Sequence, residues 1–176
     1  MQALRHSRLT FLGVGLAIGL VIGLNLQGIW PSIPLHATAT HGQDNFAIAT
    51  GLAEDGVEAL YFLDYLTGDL KAAVIQPFFG RFMAYYQYNI VNDFGGAKLK
   101  NPNYLMVTGH VNVPRAARPV QLGGSLIYVA EATTGIVAVY AIPYNTSLSA
   151  ARKEQKGTFI LMDKQPFRTI IERDKP

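Results

Sequence analysis

The chain has no cysteine among its 176 residues. Thiol catalysis, covalent haem attachment through cysteine and cysteine-ligated zinc or iron–sulfur sites are therefore excluded. Charge is also scarce, at 15% Asp, Glu, Lys and Arg with a formal net of +3. Arg5 and Arg8 lie at the N-terminus without an accompanying acid. All twelve acids and thirteen of the fifteen Lys and Arg follow residue 30. That region is almost neutral, so nothing electrostatic favours nucleic acid as a partner. Lys98 to Lys100 and the run Arg152, Lys153 and Lys156 read as solvated loops. Tryptophan occurs once, as Trp30.

Recognisable catalytic constellations are missing too. No HExxH, GxSxG, phosphate loop or dinucleotide fingerprint is present, and no helix–loop–helix calcium spacing. Of the four histidines, His36, His41 and His110 lie beyond the leader. His36 and His41, with Asp44, fall in a Pro-, Thr- and Ala-rich stretch that offers a metal no fixed geometry. The expectation is a non-enzyme with no catalytic residue, cofactor or metal.

What is present begins with an uncharged apolar run, LTFLGVGLAIGLVIGL, at 9–24. It continues to Trp30 before Pro31 stops it, which is long enough for a membrane-spanning helix of about 20 residues. Arg5 and Arg8 favour a cytoplasmic N-terminus, and Trp30 suits the far interface. The expected layout is an anchor at 1–30, a linker at 31–45 and a periplasmic or extracellular domain at 46–176. A cleaved signal peptide competes, with Ala37-Thr38-Ala39 as its small-x-small site. Gly15, Gly19 and Gly23 repeat every four residues, a ridge on which another membrane helix could pack closely.

The remainder holds an imperfect duplication, divided at 46–100 and 101–176. FAIATGLA (46–53) and EALYFLDYLTGDLKAAVIQP (58–77) are echoed by YLMVTGHV (104–111) and GSLIYVAEATTGIVAVYAIP (124–143). Tyr61 matches Tyr128, Asp64 matches Glu131 and Thr67-Gly68 matches Thr134-Gly135. The second unit carries an insertion, NVPRAARPVQLGG, at 112–124. Aromatic and β-branched enrichment around each Thr-Gly predicts a hairpin in each unit, 59–66 with 70–75 and 125–132 with 136–142. Further strands are expected at 82–91 and 158–162. Asp64 and Glu131 precede matched turns, where a carboxylate accepts turn N–H groups, and this argues against a catalytic pair.

YFLDYLTGDL (Tyr61 to Leu70) and IYVAEATTGIV (Ile127 to Val137) resemble the hairpins of quinoprotein-type β-propeller blades. Those repeats pair an aromatic strand and an acid with a Thr-Gly turn and a docking tryptophan. The acid and Thr-Gly occur twice here; the tryptophan is missing both times. The resemblance implies blade-like antiparallel sheets, and three chains supplying two units each could close a six-bladed ring. A two-sheet sandwich is the competing architecture.

The aromatic run Phe79, Phe82, Tyr85, Tyr86 and Tyr88 reads as an interface strip or as core. His110, Arg115 and Arg118 are candidate ligand contacts at the insertion. The sequence thus points to a mainly β protein behind one transmembrane helix. Its expected role is a structural or accessory subunit of a membrane-anchored assembly, as a homo-oligomer or within a larger complex. The alternative is an extracytoplasmic module that binds a protein, peptide or glycan. A polar pocket beside the insertion that includes Arg115, Arg118 or His110 would favour this second role.

Overall fold

In the computed structural model, described residues are 14–17, 40–42, 44–96, 102–112 and 120–168. The chain divides into Met1–Leu35 and His36–Pro176. Among the described residues of the second unit, ten strands follow in order: β1 Thr40–Gly42, β2 Phe46–Glu54, β3 Val57–Asp64, β4 Asp69–Gln76, β5 Arg81–Asn89, β6 Tyr104–His110, β7 Leu122–Glu131, β8 Ile136–Pro143, β9 Gln155–Gly157 and β10 Ile160–Pro166. A short helix, α1 (Thr146–Ala150), lies between β8 and β9.

Two sheets form among the described residues, sheet A ordered β1-β2-β3-β4-β5-β9 and sheet B ordered β10-β8-β7-β6. Alternation along β2, β3 and β7 makes the faces. Ala47, Ala49, Gly51 and Ala53 point inward from β2 while Ile48, Thr50 and Leu52 point outward. That small-residue row lets β2 lie close to β6 and β7. At Gly51 a Cβ would come within 2.7 Å of Ser125 Oγ, so glycine is required by proximity. Larger inward groups, among them Tyr61, Leu63, Leu70, Tyr104, Ile127 and Tyr140, fill one shared core. Direct hydrogen bonds also join the layers: Thr108 Oγ1 donates to Thr50 O at 2.5 Å. Tyr140 Oη donates to Asp93 Oδ2 at 2.8 Å, in the 3-10 turn after β5.

The duplicated turns are built alike. In the first, Asp64 Oδ1 accepts from the N–H of Leu66 at 2.8 Å and Thr67 at 3.2 Å. In the second, Glu131 accepts from Thr133 at 3.1 Å and Thr134 at 2.7 Å. Gly68 and Gly135 both have positive φ, +70° and +69°, which suits glycine.

Several expectations need correction. The sheets are not blade-like units belonging one to each half. Sheet A extends to six strands because β9, from the second half, adds in parallel beside β5. The two sheets face each other across one core, which is sandwich packing. The run of Arg152, Lys153 and Lys156 is not simply a solvated loop, since Lys156 lies in β9 and the neighbouring Gln155 is buried. The stretch expected as a linker contributes β1 to the sheet.

The membrane anchor is corrected as well. Among the described residues, no helix is long and apolar enough to cross a membrane. Of the expected span, residues 14–17 are described, and they are helical. The membrane-anchored assembly, the membrane as partner and the single-pass topology lose their support, as does the periplasmic or extracellular placement. Gly15 is exposed, and a Cβ added there would meet nothing within 4 Å. Gly19 and Gly23 lie outside the described residues.

Candidate functional site

The β2–β3 hairpin turns at Asp55-Gly56, where Gly56 takes φ +72° as a tight turn demands. This places Glu54 and Asp55 at one end of sheet A. At the same end β6 finishes with His110, and β7 begins with Leu122-Gly123-Gly124. A backbone bond from Val111 N to Gly124 O, 2.9 Å, holds the two chain segments together. Helix α1 closes a side with Thr146.

These elements surround a cleft of about 400 Å³. Its polar groups are Glu54, Asp55, His110, Asn112, Gln121 and Thr146, and its floor includes Gly123 and Gly124. A Cβ on Gly123 would approach Ile142 Cγ1 to 2.9 Å, and one on Gly124 would reach Leu52 O at 3.4 Å. The glycines therefore bring backbone to the cleft surface where side chains would crowd the second layer. Leu52 and His110, equivalent positions of the duplication, both line this cleft.

Polar bonds brace the walls. Ser149 Oγ donates to Glu54 Oε1 at 2.7 Å, and Tyr144 Oη donates to Ser149 Oγ at 2.9 Å. Gln121 and Thr146 exchange contacts of 3.3 Å. Asn145, within an Asn-Thr-Ser sequence of glycosylation form, is the N-cap of α1. Its Oδ1 accepts from Ser147 N at 2.9 Å and Leu148 N at 3.1 Å. Gln155 ties the same corner to sheet A, receiving Asn145 N at 2.9 Å and the Tyr86 hydroxyl at 3.4 Å.

Of the three ligand-contact candidates, His110 lines the cleft, while Arg115 and Arg118 lie outside the described residues. Glu54, Asp55, Gln121 and Thr146 were not anticipated. The Asp-Gly turn signals the hairpin, but nothing local signals that its tip meets the β6–β7 end. The aromatic run divides by strand alternation together with a bulge at Met83, which turns Phe82 to the same face as Tyr85. Phe82 and Tyr85 are exposed, as is Phe79 in the preceding turn, whereas Tyr86 is buried and Tyr88 packs against Tyr140 with ring centroids 5.8 Å apart. Arg152 stacks on Phe78 with its guanidinium carbon 3.6 Å from the ring centroid.

Glu131 has a structural environment. Burial alone would raise its pKa, but N–H donation from Thr134, Thr133 and Asn103 wins and holds it at about 2. Burial first, then Tyr86, pushes the Tyr61 hydroxyl well above the usual tyrosine value. Among the described residues, no group of three His, Cys, Asp or Glu is placed to hold a metal ion. Comparison of the chain with protein-family models, curated proteins and solved structures finds no match.

Proposed function

We propose that the domain is a non-catalytic binding module whose cleft takes up a small hydroxyl-rich ligand, such as the end of a glycan. The observation behind this reading is that both halves of the duplication, the insertion flank and α1 converge on one polar cleft. Amides at Asn112 and Gln121 both donate and accept, and the carboxylates of Glu54 and Asp55 accept. Sugar hydroxyls, each a donor and an acceptor, complement such a mixed set. The braced Glu54 and Gln121 side chains lower the ordering cost of binding.

The test is an ¹H–¹⁵N NMR titration with maltotriose, cellotriose and chitotriose, up to millimolar concentration. Shifts should cluster on Glu54, Asp55, His110 to Asn112 and Gln121 to Gly124. Replacing Asn112 and Gln121 together by Ala should weaken the effect about tenfold, the worth of one or two hydrogen bonds. No shifts, or shifts centred on another surface, would refute the assignment.

A further inference from the structure

Apart from the cleft, the outer face of sheet A carries a second concavity of about 410 Å³. Strand register explains it. Leu60 on β3 stands opposite Ala73 on β4, Ala73 opposite Tyr85 on β5, and Tyr85 opposite Lys156 on β9. Ala73 is the small residue of this row, so the surface dips between the Leu60 and Tyr85 side chains. In the adjoining row Phe62 pairs with Lys71, and Lys71 with Gln87. Phe62 is steadied by a stacked Phe46, ring centroids 5.1 Å apart.

Two cationic side chains, Lys71 and Lys156, border this apolar floor, and among the described residues no acid lines it. Lys71 stands two strand spacings across and two residues along the strand from Lys156, roughly 12 Å between backbones, so their long side chains let both ammonium groups face one bound anion. Asp69 competes only weakly for Lys71: the two are 3.9 Å apart, and Asp69 already accepts from Asn89 Nδ2 at 2.9 Å. An exposed ion pair of that length is worth little.

We propose that this groove is a binding site for a small organic anion with a flat apolar body, an aryl or short-chain carboxylate or sulfonate. The apolar body lies over Ala73 between Leu60, Phe62 and Tyr85. The anionic head sits between Lys71 and Lys156, beside the Gln87 amide, which donates to Asp69 Oδ2 at 3.4 Å. The volume suits a small molecule rather than a folded partner. It is independent of the cleft, with which it shares no residue.

The experiment is fluorescence titration of the full chain with two probes of similar size, anionic 1-anilinonaphthalene-8-sulfonate and neutral N-phenyl-1-naphthylamine. The anionic probe should bind saturably at one site, and 4-phenylbutyrate should displace it. Lys71→Gln with Lys156→Gln should weaken the anion about tenfold, as expected for two partly desolvated charge-assisted contacts, and leave the neutral probe within about twofold. Ala73→Trp, which fills the dip, should abolish binding of both, with circular dichroism reporting that each variant remains folded. Equal affinity for the two probes would overturn the proposal by reducing the groove to an apolar patch. Anion binding that survives either the lysine pair's removal or Ala73→Trp would overturn it too. Were Ala73→Trp to unfold, the lysine variants and 4-phenylbutyrate competition would still decide.

Discussion

At Glu131 a buried carboxylate collects N–H groups from two chain segments, Thr133 and Thr134 in its own turn and Asn103 ahead of β6. Its equivalent, Asp64, is shorter and serves its own turn alone. Because the folded pKa, about 2, lies below the usual 4.5, the charged form stabilises the fold. That contribution is complete above the ordinary value and is lost as pH falls toward the folded one. It is on the order of 3 kcal/mol. Glu131→Gln should therefore cost about 2 kcal/mol near neutral pH, and urea denaturation should show the gap closing near the folded pKa. A gap that stays constant with pH would assign the loss to shape rather than charge. At Gly51, Ala should cost about 1–3 kcal/mol by overpacking, because its Cβ meets Ser125 Oγ. Ser125→Gly in the same chain should recover part of that loss in thermal melts.

Among the elements, α1 and β9 contradict the simple two-unit picture, and both belong to the chain after β8. Five residues make a weak helix, since isolated short helices do not hold themselves together. The Asn145 cap and Gln155 therefore carry much of this corner. Asn145→Ala should cost about 1 kcal/mol, read by urea denaturation, and should broaden the NMR signals of Thr146 and Gln121 at the cleft. An unchanged midpoint would show that the backbone bonds to Gln155 suffice without the cap. The hairpins around Thr67-Gly68 and Thr134-Gly135 were legible because aromatic and β-branched enrichment and turn residues are local signals. The parallel addition of β9 was not. Three residues, Gln-Lys-Gly, carry no strand signal, and their partner in β5 is some 70 positions away. The Asp64 and Glu131 turns were legible for the opposite reason, since acid, Thr and Gly sit within a few residues of one another.

At the scale of the molecule, one core serves both sheets, and β9 makes each half incomplete without the other. A chain of residues 40–100 alone should therefore lack cooperative unfolding and show coil-like circular dichroism, whereas residues 40–168 should fold in one transition. A folded 40–100 fragment would mean that the duplicated units are autonomous. Tyr140→Phe, which removes the inter-sheet bond to Asp93, should lower stability by about 1–2 kcal/mol, with circular dichroism and tyrosine fluorescence still changing together.

From the sequence by itself came the mainly β character, the duplicated acid–Thr–Gly turns, the candidacy of His110 and the absence of thiol chemistry. Each follows from residue type or from neighbours close along the chain. The expected membrane helix shows the limit of such reasoning: composition and length suggested a span, and no described helix is long and apolar enough to be one. Tertiary structure alone decided that Tyr86 and Tyr88 turn inward while Phe82 and Tyr85 face out. It alone brought Glu54 to Ser149, 95 positions away, and closed the cleft around His110. Side-chain alternation is a property of one strand. Which face is buried, and which distant loops meet, depends on how close two sheets can approach, and that was set by the small residues of β2.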